Sequence, residues 1–530
     1  MTNLLKQDGP GRELLADTWP SRGHPEDLTY HLFIDTLTSR WPRGKVLGGS
    51  GSINLLLVVR GSRHDYDRWA RYTGDETWDY RHVLPYFKRM EDVQIPGLGG
   101  SRFRGQGGPL TVRGHKPSLL AEKIVQAGKD LGFPDNNDYN GKSMEGIFHA
   151  QVNTLNGRRM SSSRAYLHPV MDRPNLDVAI NSHVQKVVIK GKRATGVEVI
   201  RNGRKLTINA RKEVILSAGA IGSPHILLLS GVGPKKQLED LHIPVAADLP
   251  VGENLQDHVF THAAVGVADP ISYQLKDFQS PWTMIQYSLF GTGPLSTATA
   301  EETVSFQTIT PGREEGEEDW PDLELHFISV PANTDLLTDY NLKPEFLQER
   351  KYRDEYEYGF TCFPTLLRPE SRGSITLKST DPFDYPRIQA NYLSTDYDLD
   401  ILVKGIEACK ALANTKTLQS VGAKFLDTKP LSPCKEFKFD SRDYWRCVIK
   451  MESFSVYHPV GTCKMGTKDD RTAVVDSQLR VQGVSGLRVA DASIMPWITS
   501  GNTHFPSIMI AERAADMILG KQPLPPEDLV

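Results

Sequence analysis

The stretch 453–520 constrains this chain more than any other. It opens SFSVYHPVGTCKMG, passes through GLRVADASIMPW and closes GNTHFPSIMIAERAADMILG. Residues 487–490 are a short apolar run that predicts a buried strand ending at Asp491-Ala492-Ser493. Helical periodicity follows, with Ile508, Ala511, Ala515 and Ile518 on one face and Glu512, Arg513 and Asp516 on a more polar one. The helix is expected to start near Pro506, whose missing N–H would be unpaired in a first turn anyway, and to stop at Gly520. His458 and His504 therefore flank a strand end and a helix N-terminus. Such a terminus carries partial positive charge and free N–H groups. Two imidazoles beside it suit moving a proton from a hydroxyl and holding an anion. A lone histidine beside proline is more often structural. Both of these sit in loops of glycine and small polar residues, where backbone can approach a ligand closely.

A similar unit lies upstream. Residues 214–216 predict a strand, Ser217-Ala218-Gly219 a turn, and a helix is expected from near Pro224 to Gly231. That shape aims a helix N-terminus at a dinucleotide. Nearer the start, WPRGKVLGGSGSINLLLVV places Gly44, Gly48, Gly49 and Gly51 among Ser50, Ser52 and Asn54. Consecutive glycines let backbone N–H groups reach a phosphate or a flat ring without Cβ interference. The 53–59 run that follows predicts a buried helix or strand.

These three stretches resemble the glucose–methanol–choline (GMC) flavoprotein oxidoreductases, with wording nearest the arthropod glucose-dehydrogenase-like branch. The resemblance runs from about Trp41 to the C-terminus. It implies an FAD-dependent enzyme acting on CH–OH donors, alcohol or sugar, by hydride transfer to flavin N5. It implies His458 as the base, with His504 positioning the alkoxide or sharing the proton. It implies that Gly48, Gly49, Ser50 and Asn54 line the flavin and that Leu55 and Leu57 lie near it. Val184 would meet the adenine through its backbone, and Asp491 and Ala492 would also contact the cofactor. The implied fold is mixed α/β: an incomplete Rossmann-like FAD domain interleaved with an antiparallel-sheet substrate domain. Its expected divisions are an irregular segment 1–40, an FAD-binding region 41–258, a substrate-binding region 259–430, and a C-terminal part 431–530 that returns to the FAD domain. The implied partners are a small alcohol or sugar and an electron acceptor, quinone or oxygen.

One expected motif is missing. Members of this family begin with a strand, G-x-G-x-x-G and a helix, with an acidic residue after the next strand. Gly9-Pro10-Gly11 has no strand before it, and Gly97-Leu98-Gly99-Gly100 sits in a loop after Pro96. On this reading the chain starts after that βαβ unit, and a sheet edge should be left apolar and unpaired. The alternative is a truncated or non-catalytic relative that no longer binds FAD. A lyase on the same fold is also compatible. A serine hydrolase has little support, because no G-x-S-x-G elbow exists.

Composition excludes some classes. With 530 residues, 39% hydrophobic and 24% charged, the chain suits two or three packed domains. A net charge of -3 argues against a nucleic-acid partner. No apolar run approaches a membrane span, and the N-terminus lacks a signal-peptide pattern. The five cysteines include no C-x-x-C pair. Cys434 and Cys447 are near enough in sequence to pair, and five reduced thiols are equally compatible. Between these landmarks, residues 151–215 predict strands with hairpin turns at Gly191 and at Asn202-Gly203. Residues 260–390 predict an antiparallel sheet including GSITLKS. The run Glu314, Glu315, Gly316, Glu317, Glu318 predicts a solvated loop, and 395–450 predict helices.

Overall fold

The computed structural model describes residues 41–114, 116–134, 136–297, 300–310, 318–331 and 344–529, and the backbone of Thr29–Tyr30 and Leu37–Thr38. Those last two segments pair as antiparallel strands, where the sequence pattern predicts none. Two residues are too few to show alternation. The acidic positions Glu314, Glu315 and Glu317 lie outside the described residues.

The largest sheet has eight strands. Its order is Lys424–Phe425, Ala263–Val267, Tyr358–Leu366, Leu323–Ile328, Glu301–Gln307 and Gly146–His149, all antiparallel. Val259–Phe260 joins the end of Tyr358–Leu366 and pairs in turn with Phe454–Ser455. The sheet thus draws strands from outside 259–430. The GSITLKS run is not part of it; Ser374–Thr376 instead pairs with Arg387–Gln389.

Alternation along Tyr358–Leu366 sorts its side chains between two faces. Phe363 faces a cavity, whereas Pro364 and Cys362 face the helix Asp396–Ala413. Thr395 caps that helix by accepting the Asp398 N–H, and Leu399, Leu402, Ile406, Cys409 and Ala413 are buried at helical spacing. Cys362 and Cys409 form a disulfide across this layer, and Cys434 pairs with Cys447, leaving Cys463 free and buried. The reading with five reduced thiols is therefore corrected. Nothing in sequence marked the first pair, whose members are 47 residues apart.

The strands Val214–Leu216 and Leu487–Val489 pair in parallel, Val214 opposite Leu487. Among the described residues Val214–Leu216 has no other strand partner, whereas Leu487–Val489 is also bridged in antiparallel sense from Arg488 to Arg480; Ile215 is 39% exposed over a groove of about 420 Å³ shared with Val197 and Ile208. An apolar open edge is what the sequence led one to expect. The helix after Val214–Leu216 begins at Gly219, five residues before Pro224. Proline inside a helix leaves the carbonyl four residues back without its N–H. Here that carbonyl belongs to Ala220, and the Thr462 hydroxyl donates to it at 2.6 Å. The 53–59 run is neither helix nor strand. It leaves a turn at Ile53 and Asn54, passes a left-handed Leu56 with φ of 71°, and is then bridged at Leu57 to Val152 and bonded from the Val58 N–H to the Gln151 carbonyl at 2.9 Å. No helix among the described residues is long and apolar enough to cross a membrane.

Gly405 marks a close contact between the helix Asp396–Ala413 and the sheet. A Cβ there would stand 2.4 Å from Pro364 Cβ and 3.0 Å from Leu323 Cδ1. In an open helix Gly→Ala gains about 1 kcal/mol. Here Gly405→Ala is expected to lose about 1–3 kcal/mol by overpacking. A urea midpoint that rises instead would show that the helix does not seat on Pro364.

Candidate active site

Because the two strands are parallel, Val214–Leu216 and Leu487–Val489 release their chains at one edge. A cavity of about 1540 Å³ opens there. Asp491 ties the two strand ends together. Its carboxylate accepts the Gly219 N–H at 2.9 Å, the Ser223 hydroxyl at 2.5 Å and the Ser493 N–H at 2.8 Å. Asp491 and Ala492 line the cavity, but the Asp491 carboxylate already serves the protein's own donors. The helix His504–Ile518 also begins at this wall, two residues before Pro506, so His504 is its first residue. Thr503 gives it no side-chain cap and its first turn holds no acid. Its leading N–H groups therefore lack intrahelical partners and carry the positive end of the helix dipole.

His458 is fixed from several sides. Its N–H donates to Asp257 Oδ1 at 2.8 Å. Asp257 Oδ2 accepts the hydroxyls of Ser455, at 2.5 Å, and Tyr392. Burial raises the Asp257 carboxyl to about 6 against these bonds. Tyr457 takes a left-handed φ of 65° and turns the chain into the site. Its carbonyl accepts Arg43 Nη1 at 2.8 Å, while Arg43 Nε and Nη2 donate to Ser50 Oγ at 3.2 and 3.0 Å. One guanidinium thus joins the glycine loop to the histidine loop. On the His458 ring, Nε2 lies 3.3 Å from Asn502 Nδ2 and Nδ1 lies 3.0 Å from His258 Nδ1. Burial, with His258, His326 and Arg43 nearby, holds the His458 pKa well below 6.5. Burial and then Arg159 bring His504 down to about 4. Both imidazoles are neutral at ordinary pH.

The glycine loop coils tightly. A Cβ on Gly44 would stand 2.2 Å from the Gly49 carbonyl oxygen, and one on Gly51 would stand 2.7 Å from His504 Cε1. Gly48 has φ of 90°, where side chains are strained. Arg159 braces the far side, donating to Asn54 Oδ1 at 2.5 Å, Asn54 O at 2.7 Å and Gly51 O at 3.2 Å. Leu55 is half exposed and Leu57 buried, and the left-handed Leu56 between them, with φ of 71°, turns the chain from one environment to the other. Val184 sits on the strand Ser182–Lys190. The cavity wall includes Gly48, Gly49, Ser50, Asn54, Leu55, Leu57, Val184, His458, Asp491, Ala492 and His504.

The sheet supplies the opposite wall: apolar Phe260, Ile328 and Phe363, and a polar pair, Glu301 and His326. Ala300 has φ of 63° and a register shift separates Glu301 from Thr303. Such bulges re-aim a side chain. The Glu301 carboxylate meets His326 Nδ1, and Glu324 lies 3.4 Å from Nε2. Burial alone would depress His326, but Glu324 and Glu301 raise it well above 6.5. Sequence reasoning named none of Arg43, Arg159, His258, Asn502, Glu301 and His326 as site residues. His258 and Arg159 lay inside stretches it had noticed, VGENLQDH and GRRMSSSRAYLHP. Glu301 and His326 sit in strands read only for periodicity.

The GMC oxidoreductase family matches this chain over residues 30–260 and again over 369–511. The Drosophila melanogaster protein named glucose dehydrogenase [FAD, quinone] is 40% identical over 90% of this chain and 74% of that protein. Mitochondrial choline dehydrogenase of Mus musculus is 39% identical over 92% of this chain and 77% of its own. Among solved structures, formate oxidase of Aspergillus oryzae RIB40 superposes with a TM-score of 0.78 at 25% identity, over 90% of this chain and 84% of that one. With both halves of the family pattern matched in order, and all the residues singled out from sequence on one cavity wall, the chain belongs to the GMC oxidoreductase family.

Proposed function

We propose that this protein oxidises the CH–OH carbon of an alcohol or sugar in an FAD-dependent reaction, with His458 as the base. The observation that carries this reading is the pairing of two neutral, half-buried imidazoles with a glycine-lined cavity. Relatives support it, since one is named for FAD and quinone and another for choline oxidation.

The residues present fit FAD. The cavity is larger than the roughly 300–1,000 Å³ of ordinary small-molecule sites. At Gly49 a Cβ would meet no protein atom within 4 Å, so the backbone there opens onto the cavity, while Gly48 and Gly51 pack against Ser52 and His504. Gly48, Gly49, Ser50 and Asn54 would hold the flavin, with Leu55, Leu57, Asp491 and Ala492 around it and Val184 at the adenine. In this division 41–258 and 431–530 hold the cofactor and 259–430 face the substrate. Bound there, FAD supplies the two-electron acceptor for hydride leaving the substrate carbon. His458 takes the hydroxyl proton at Nε2, the nitrogen that faces Asn502. His504 hydrogen-bonds the same oxygen, and the helix it begins favours negative charge beside it. Phe260, Ile328 and Phe363 exclude water from the carbon chain, while Glu301 and His326 offer a polar contact to further hydroxyls. Quinone and oxygen are the two reoxidants this reading admits, and turnover with each distinguishes them.

His458→Ala is expected to lower kcat by about 10²–10⁴-fold, the usual worth of a positioned base. Steady-state turnover in flavin-loaded protein measures this, and an unchanged kcat excludes His458 as base. The pH profile is a separate check. A histidine with a depressed pKa stays neutral until pH falls through that lowered value. The acid limb of kcat/KM should therefore lie below 6.5, the ordinary imidazole value. A limb at or above about pH 6.5, where an exposed imidazole titrates, would contradict the buried neutral base.

A further inference from the structure

We infer that His258 is a positioning residue that fixes the proton of His458 on Nδ1, leaving Nε2 unprotonated on the side that faces Asn502 and the cavity. The inference rests on the reading of His458 as the base, and it deepens that reading by saying which nitrogen reacts and why.

The argument follows hydrogen-bonding roles outward from the core. His258 is fully buried, and its Nε2 lies 3.1 Å from the Leu367 carbonyl oxygen. A carbonyl can only accept, so His258 Nε2 carries a proton. A neutral imidazole has one N–H, so His258 Nδ1 is a bare acceptor. That atom lies 3.0 Å from His458 Nδ1, which must then donate. His458 Nδ1 holds the ring's one proton, and His458 Nε2 is left with its lone pair. A second contact agrees without using His258. The Asn502 amide nitrogen lies 3.3 Å from His458 Nε2, and an amide N–H needs an acceptor there. The ring planes of His258 and His458 stand at 85°, so the His458 N–H can point along the lone pair of His258.

Desolvation, more than nearby charge, keeps the pair neutral. Burial holds His258 at about 3, with Leu367 and Thr499 backbone groups and His326 also acting on it. The groups around His458 are Asp257 and His258 from the chain before the sheet, His326 and Glu301 from the sheet, Arg43 from the glycine loop and Asn502 ahead of the helix. When an alcohol binds, its O–H bond breaks and the proton forms a new N–H at Nε2. The ring becomes an imidazolium whose Nδ1–H still donates to His258. No proton has to leave Nδ1, and no tautomer change precedes the step.

Long-range ¹H–¹⁵N spectra of histidine-labelled full-length protein read the tautomer directly, without turnover. The expected result is a protonated Nδ1 and a bare Nε2 on His458 in the parent protein. His258→Leu removes the acceptor and should mix the two tautomers, lowering kcat at least about tenfold with little change in KM. His258→Gln offers an amide oxygen and an N–H in place of the two ring nitrogens, and should restore both the tautomer and most of kcat. Should His258→Leu fail to fold, the parent spectrum and the Gln variant still decide. A His458 proton on Nε2 in the parent overturns the inference. So does a His258→Leu protein with an unmixed Nδ1–H signal and unchanged kcat. Failure of the base reading looks different, because His458→Ala would keep its kcat while the parent spectrum stayed as expected.

Discussion

Desolvation of His458 is the constraint on which the site depends. In water an imidazole is half protonated near pH 6.5, and a protonated ring cannot take a proton from an alcohol. Burial removes that competition by penalising the charged form. The price is steep, because a buried polar ring must have every hydrogen-bonding atom answered or lose stability. His258 answers one side of the ring and Asn502 the other. His258 needs its own partner in turn, and Leu367 on the strand side provides it. The chain of bonds from Leu367 to His458 is therefore a condition for taking the ring of the proposed base out of water.

The same logic explains why distant segments converge. A buried ring is useful only if its position is fixed to a fraction of an ångström. Arg43 joins Ser50 to Tyr457, Asp257 holds the His458 backbone, and Asp491 joins two strand ends. Each clamp joins segments hundreds of residues apart in sequence. The large sheet behind them is held to the helix Asp396–Ala413 by close packing at Gly405 and by the Cys362–Cys409 disulfide. Glycine loop, histidine loop and sheet are thus tied together around the cavity.

Much of this was legible in sequence because it rests on local chemistry. The glycine loop, both strand–turn–helix units and the two histidines are marked by residue types whose backbone or side-chain roles are narrow. Helix starts were less legible. Proline suggested starts at Pro224 and Pro506, yet the helices begin at Gly219 and His504. Thr462, far away in sequence, makes the first of these possible by taking the Ala220 carbonyl. The 53–59 run was misjudged because its pairing partner, 151–153, sits in a separate element. Arg43, Arg159 and His258 escaped notice for a like reason: an arginine or histidine shows its role only through what it touches. Glu301 depends on a bulge and a left-handed Ala300, which no alternation pattern announces.

The most direct test is a crystal structure of the full chain with FAD and an unreactive alcohol analogue bound. The account predicts the isoalloxazine against the loop of Gly48 to Asn54. It places the analogue's hydroxyl oxygen within about 2.6–3.2 Å of His458 Nε2 and within reach of His504. A hydroxyl bound elsewhere, or a flavin ring seated away from both histidines, would contradict it.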